Sequence, residues 1–153
     1  MQDDPFEQLL RSHRRLEERL EDMSRAAADL GTPKQDEALT FLETSMAWMD
    51  RAVTRHEQDE ETSLFPRLVT HAGLAECLKT LTAEHRRQEE LKEQLRRELR
   101  QPGRAALLVR ELHQAYARHI KEEEDVLFPA ARRLLDAAAL SALAMEMANR
   151  RGR

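Results

Sequence analysis

The sequence contains a single cysteine, Cys77, so no disulfide can form within the chain and the fold must stand on its core. A lone thiol suits a reducing compartment. Aromatic residues make up only 4% of the chain, and nowhere do β-branched residues alternate with polar ones, which excludes a sandwich or barrel. Four glycines and five prolines are too few for a loop-rich or low-complexity chain. Basic charge is not in excess. The formal net charge is −4 and the pI about 5.9, whereas a general nucleic-acid binder would carry a basic face. No apolar run approaches the roughly 20 residues of a membrane span. The opening Met1-Gln-Asp-Asp-Pro5 is acidic where a secretory leader would be basic and then apolar. A cytoplasmic protein without membrane or nucleic-acid partners is expected.

What is abundant is charge, 35% of residues, among Leu, Ala, Arg and Glu, which is the composition of long helices. The 153 residues suffice for one domain, 1–153, around one core. Apolar residues recur at steps of three and four, which is bundle spacing. The first stripe reads Phe6, Leu9, His13, Leu16, Leu20, Met23, Ala27, Leu30, and Gly31-Thr-Pro33 ends that helix. The second starts near Asp36 and reads Leu42, Met46, Met49, Val53, His56, Glu60. Pro66 should kink or end it. After a loop at His71-Ala-Gly73, the third reads Leu74, Leu78, Leu81, His85, Gln88, Leu91, Leu95, Leu99. Past the turn Gln101-Pro-Gly103, the fourth starts near Arg104 and reads Leu108, Leu112, Ala115, His119, Glu123, Val126, up to a second break at Pro129. A short fifth helix is expected over about 136–150, packed across a bundle occupying about 5–135.

Two internal repeats organise the chain. His56-Glu-Gln-Asp-Glu60-Glu-Thr-Ser-Leu-Phe-Pro66 aligns without a gap on His119-Ile-Lys-Glu-Glu123-Glu-Asp-Val-Leu-Phe-Pro129. His13-Arg-Arg-Leu-Glu-Glu18 aligns on His85-Arg-Arg-Gln-Glu-Glu90. The chain therefore reads as two copies of a helical hairpin, packed as an all-α, antiparallel up-down-up-down four-helix bundle with a pseudo-twofold axis.

Residues four apart share a helix face, so each His-Glu pair aims an imidazole and a carboxylate the same way. With His13 and His85 the pattern selects four inward histidines, one per helix. One metal is expected against His13 and His56 and a second against His85 and His119, with Glu60 and Glu123 bridging. Mixed nitrogen and oxygen ligation with open positions suits iron, less specifically manganese or zinc. Buried carboxylates in an apolar bundle require such a cation or another partner. His113 and His71 are expected at the boundary and in a loop. Met46, Met49, Met145, Met147, Trp48 and Tyr116 read as packing residues, although Tyr116 lies one turn before His119 and within reach of the site. Three carboxylates stay open: Glu17 and Glu89 as terminal ligands, and Glu124 in place of Glu123. The arginines at 96, 97, 100 and 104 and the tail Arg150-Arg151-Gly152-Arg153 read as solvated surface.

On these residues, and on the ending Met145-Glu-Met-Ala-Asn-Arg-Arg-Gly152, the chain resembles the hemerythrin-like, or HHE cation-binding, family over nearly its whole length. The resemblance implies two iron ions, oxo- or hydroxo-bridged, inside the bundle. It implies reaction with O2, peroxide or NO, for sensing, scavenging or iron handling with a redox or signalling partner. Peroxide decomposition, reversible O2 carriage, and a non-redox, metal-stabilised interaction module are the alternatives. The family's oxygen carriers have a fifth histidine one turn after the third-helix histidine; here Glu89 stands there, which argues against reversible carriage. A ferritin-type site differs, because there Glu precedes His by three.

Overall fold

The computed structural model describes residues 3–152, and among these there are helices and no strand. Helix α1 spans Pro5–Ala28, α2 Gln35–Gln58, α3 Phe65–Leu68, α4 Ala75–Glu98, α5 Pro102–Glu122, α6 Phe128–Leu134 and α7 Ala137–Arg150. The starts and stops follow local chemistry. Asp4 caps α1, its carboxylate accepting from the Phe6 backbone N–H at 2.8 Å, with Pro5 in the first turn. Gly31, at φ +80°, turns the chain after α1. Asp136 caps α7 by accepting from Ala139 N–H at 2.8 Å.

Of the two expectations for Pro66 and Pro129, a kink or an end, the end does not occur. A π-helical turn, Asp59–Leu64, joins α2 to α3, and another, Glu123–Leu127, joins α5 to α6. In both, the phenylalanine before the proline gives its N–H to the carbonyl five residues back: Phe65 to Glu60, Phe128 to Glu123. A proline cannot donate and its ring presses on the preceding turn. Widening that turn lets the rod continue, to Leu68 in one copy and Leu134 in the other.

α1 packs against α2 and α5, α4 against α5, and α2 more lightly against α4, which is the expected antiparallel bundle. Its interior is two apolar layers. One includes Leu20, Met23, Leu42, Met49, Leu95 and Leu112. The other includes Phe6, Leu9, Leu64, Leu81, Leu127 and Leu143, and so collects both Leu-Phe-Pro segments and α7. The histidines and glutamates lie between these layers.

The tail is not solvated surface. Arg150 Nη1 and Arg151 Nη2 reach Asp59 at 2.9 and 2.8 Å, and Asp59 is fully buried beside Glu60 in the first π turn. A buried carboxylate needs such partners, which is why two arginines that look like a charged tail turn inward. Arg67 pairs with Glu146 at 2.6 Å, a second tie between this rod and α7, and its hydrogen bond holds the Glu146 carboxyl near a pKa of about 2. Arg153, read with this tail, lies outside the described residues. Arg97, Arg100 and Arg104 are exposed as expected, but Arg96 is half-buried against Asp50 and Glu93. Met145 is exposed rather than packed.

Candidate metal centre

His13, His56, His85 and His119 come one from each long helix and are all buried, as are Glu60 and Glu123 in the π turns. Every histidine turns its Nε2 inward. His13 Nε2 lies 2.9 Å from Glu123 Oε1, and His56 Nε2 lies 3.0 Å from Glu60 Oε2. His85 Nε2 lies 3.0 Å from Glu60 Oε1, and His119 Nε2 lies 3.2 Å from Glu123 Oε2. Each glutamate thus gives one oxygen to the His13/His56 half and the other to the His85/His119 half. The two halves are matched in shape, with ring centroids 4.9 Å apart in the first and 4.8 Å in the second.

Every Nδ1 points outward to a partner. His13 meets Glu124 at 2.7 Å, His85 meets Glu61 at 2.6 Å, His119 meets Glu84 at 2.9 Å, and His56 meets the Ser12 hydroxyl at 2.9 Å. A carboxylate only accepts, so Nδ1 carries the hydrogen in the first three. The partners cross between copies: Glu124 of the second hairpin orients His13 of the first, and Glu61 of the first orients His85 of the second. The phenylalanines do likewise. Phe128 stacks on His13 at 5.6 Å and Phe65 on His85 at 6.1 Å. That gives the repeated Leu-Phe-Pro a direct part in the site.

Whether a metal suits these residues is decided by the donor set. With Nδ1–H committed outward in His13, His85 and His119, each of their Nε2 atoms carries either a second proton or a lone pair facing a carboxylate oxygen. Two lone pairs at that distance require a cation between them. Two ligands at right angles, each about 2.1 Å from one ion, lie about 3.0 Å apart. The observed separations of 2.9–3.2 Å have that spacing. Glu123 Oε2 adds to the case: His119 Nε2 is near it but off the hydrogen-bonding line, so this buried oxygen has no hydrogen bond among the described residues. Two sets of four mutually close donors result: His13, His56, Glu60, Glu123, and Glu60, His85, His119, Glu123. Outward hydrogen bonds from metal-binding imidazoles to carboxylates are the usual support of such sites.

Without a metal, protons take its place. Burial opposes a charge on His119, but the Glu123 carboxylate beside it outweighs burial and lifts the pKa to about 9. Burial likewise disfavours the charged forms of His56 and His85, and their glutamate partners more than compensate. Glu123 is held well below the ordinary carboxylate range despite its burial, through its hydrogen bonds to the surrounding groups.

Glu17 and Glu89 do not reach the cluster. Glu17 pairs with Arg14 at 3.0 Å, and Glu89, half exposed, pairs with Lys92 at 2.9 Å. At 100° per residue, a side chain four positions on lies about 40° around the helix. After α2 and α5 the glutamate sits in a π turn; α1 and α4 have none. Glu124 touches His13 on its outer nitrogen, while Glu123 faces the inner ones. His113 is at the boundary, 3.7 Å from Glu21, and His71 lies in the turn after α3. Sequence reasoning missed Ser12, Glu61 and Glu84 as orienting groups. Glu61 and Glu124 were visible as the second glutamate of the repeat; Ser12 and Glu84 show no sequence signal beyond preceding His13 and His85.

On the histidine side is a small cavity, about 20 Å3, lined by all four histidines. Tyr116 and Trp48, read as packing residues, also border it.

Residues 4–148 match the family model described as the hemerythrin HHE cation binding domain. No curated protein and no solved structure matches the chain.

Proposed function

The chain belongs to the hemerythrin HHE cation-binding domain family, and on that premise we propose that it is a non-haem di-iron protein reacting with O2, peroxide or NO. The observation that carries this reading is the pair of four-donor sets sharing Glu60 and Glu123, one oxygen of each glutamate per set. Iron, when bound, supplies electrons and open coordination positions to a small oxidising molecule.

The residues of this chain do the rest. The four Nε2 atoms and two carboxylates hold the ions, and Glu124, Glu61, Glu84 and Ser12 fix the ring orientations. The apolar layers on either side keep bulk water from the centre. Loading must expel the protons that His56, His85 and His119 hold in the metal-free state, so uptake releases acid and weakens at low pH. Glu89 supplies no ligand, and it stands where the oxygen carriers keep their fifth histidine. This favours irreversible oxidation, and with it sensing, scavenging or turnover in the cytoplasm with a separate redox or signalling protein, over reversible carriage.

The test is metal content with an absorption spectrum, taken anaerobically after Fe(II) loading and again in air. Two irons per chain and a new near-ultraviolet band that persists under vacuum are expected. Fewer than about two irons, or no spectral response to air, would sink the reading.

A further inference from the structure

Gln88 is the one side chain in the described structure with both amide atoms buried and neither hydrogen-bonded; it is 1% exposed. A buried amide without partners is costly and calls for an explanation. Gln88 lies one turn after His85 on α4 and lines the cavity beside the four histidines. Neither Glu60 nor Glu123 lines that cavity, so it opens on the face of the cluster away from the bridging carboxylates.

The internal repeat supplies a control. The position equivalent to Gln88 in the first hairpin is Leu16, three after His13. The position equivalent to Tyr116, three before His119, is Val53, three before His56. All four residues line the cavity. Leucine and valine therefore fill these places in one copy, and packing alone does not demand glutamine and tyrosine in the other. Ser12 and Glu57 also line the space, but the Ser12 hydroxyl is engaged by His56, whereas the unengaged amide of Gln88 stands beside His85. The space is about 20 Å3, and about 10–15 Å3 on such a measure holds one water. Its natural occupant is a molecule of one or two heavy atoms.

We propose that the Gln88 carboxamide is the hydrogen-bonding group for a diatomic ligand, or the water it displaces, held in this cavity against the His85/His119 half of the centre. The amide offers both a donor and an acceptor, so it serves a water or hydroperoxide-like ligand through either atom, and O2 or NO through Nε2–H. The proposal rests on the di-iron reading and specifies which half of the centre takes the ligand.

The probe is NO, added anaerobically to the full chain loaded with Fe(II), with wild type compared with Gln88→Leu and, as a second apolar variant of similar length, Gln88→Met. Iron per chain should be the same in all three. Losing one hydrogen bond should speed NO dissociation about tenfold, corresponding to about 1.4 kcal/mol, and raise the N–O stretching frequency. The metal-free variants should melt no lower than wild type, because an unpartnered amide has been removed. Equal dissociation rates and stretching frequencies with iron content intact would refute the role of Gln88 and leave the di-iron reading standing. A lowered melting temperature with unchanged NO binding would make Gln88 a packing residue. A wild-type chain that takes up no iron would refute both readings.

Discussion

Replacing Asp59 with alanine should destabilise the protein and loosen the metal centre together. Asp59 is fully buried and its two oxygens are held by Arg150 and Arg151, which are themselves about one-fifth exposed. Removing one partner from a buried ion pair costs about 3–5 kcal/mol, because the remaining charge is left uncompensated. The arginines retain some contact with water, which places the cost at the low end, about 3 kcal/mol. For a domain of this size each kcal/mol moves the melting temperature by about 2–4 °C, so a drop of about 6–12 °C is expected. Arg150→Ala or Arg151→Ala alone should cost less, since the other arginine still serves the carboxylate. The assay is thermal unfolding of metal-free protein followed by circular dichroism at 222 nm, with iron content after gel filtration as a second readout. Asp59 precedes Glu60 in the first π turn, so iron retention should fall as well. A melting temperature within about 2 °C of wild type, with iron retained, would mean that the α7 clamp neither stabilises the fold nor positions Glu60.

Glu123→Gln should reduce bound metal by more than one ion per chain, because both donor sets contain Glu123; elemental analysis after dialysis checks this, and loss of only one ion would contradict a shared bridge. Glu84→Ser should weaken metal binding about 10–100-fold by withdrawing the carboxylate that orients His119, measured by competition with a chelator; an unchanged affinity would remove Glu84 from the support of the site. Metal-free stability should depend on pH in a defined sense. His119 has a raised pKa, so its contribution is full below about 6.5 and is lost as pH rises through about 9. Glu123 has a depressed pKa, so its contribution is present above about 4.5 and is lost as pH falls through its lowered value. Melting temperatures in excess chelator should therefore peak at about pH 4.5–6.5 and decline toward pH 9, while iron-loaded protein, whose ligands must be deprotonated, should peak at higher pH; identical profiles would contradict the proton-for-metal exchange.

Much of the architecture was legible because the histidines occupy slots of the apolar stripes. A stripe spaced at threes and fours fixes which face is inward, and a histidine within it must be inward too. The four histidines and two glutamates that the geometry gathers are the six that periodicity selects. The rest depended on contacts between helices, which periodicity does not encode. Ser12 and Glu84 matter because α1 lies beside α2 and α4 beside α5. Glu89 and Glu17 share the i+4 spacing of the site glutamates but not the π turn that contains those glutamates. The π turns follow from proline chemistry, yet a proline in a helical pattern reads equally well as a kink or a stop. The Arg150-Arg151 tail misled because nothing local distinguishes a solvated arginine from one that answers a buried aspartate ninety residues away.

The crossing of partners between the two hairpins has a consequence for how such a protein can be assembled. Glu124 and Phe128 of the second hairpin serve His13 of the first, and Glu61 and Phe65 of the first serve His85 of the second. Half of this chain, produced alone, would leave His13 or His85 without the groups that orient it, although His56 would keep Ser12 and His119 would keep Glu84. Two identical halves, however, could satisfy one another about a true twofold axis, as the pseudo-twofold pair does here. The covalent link between the hairpins is then what permits asymmetry: once joined, each copy can vary alone, and Gln88 opposite Leu16 and Glu84 opposite Ser12 are differences that no symmetric pair of identical hairpins could hold.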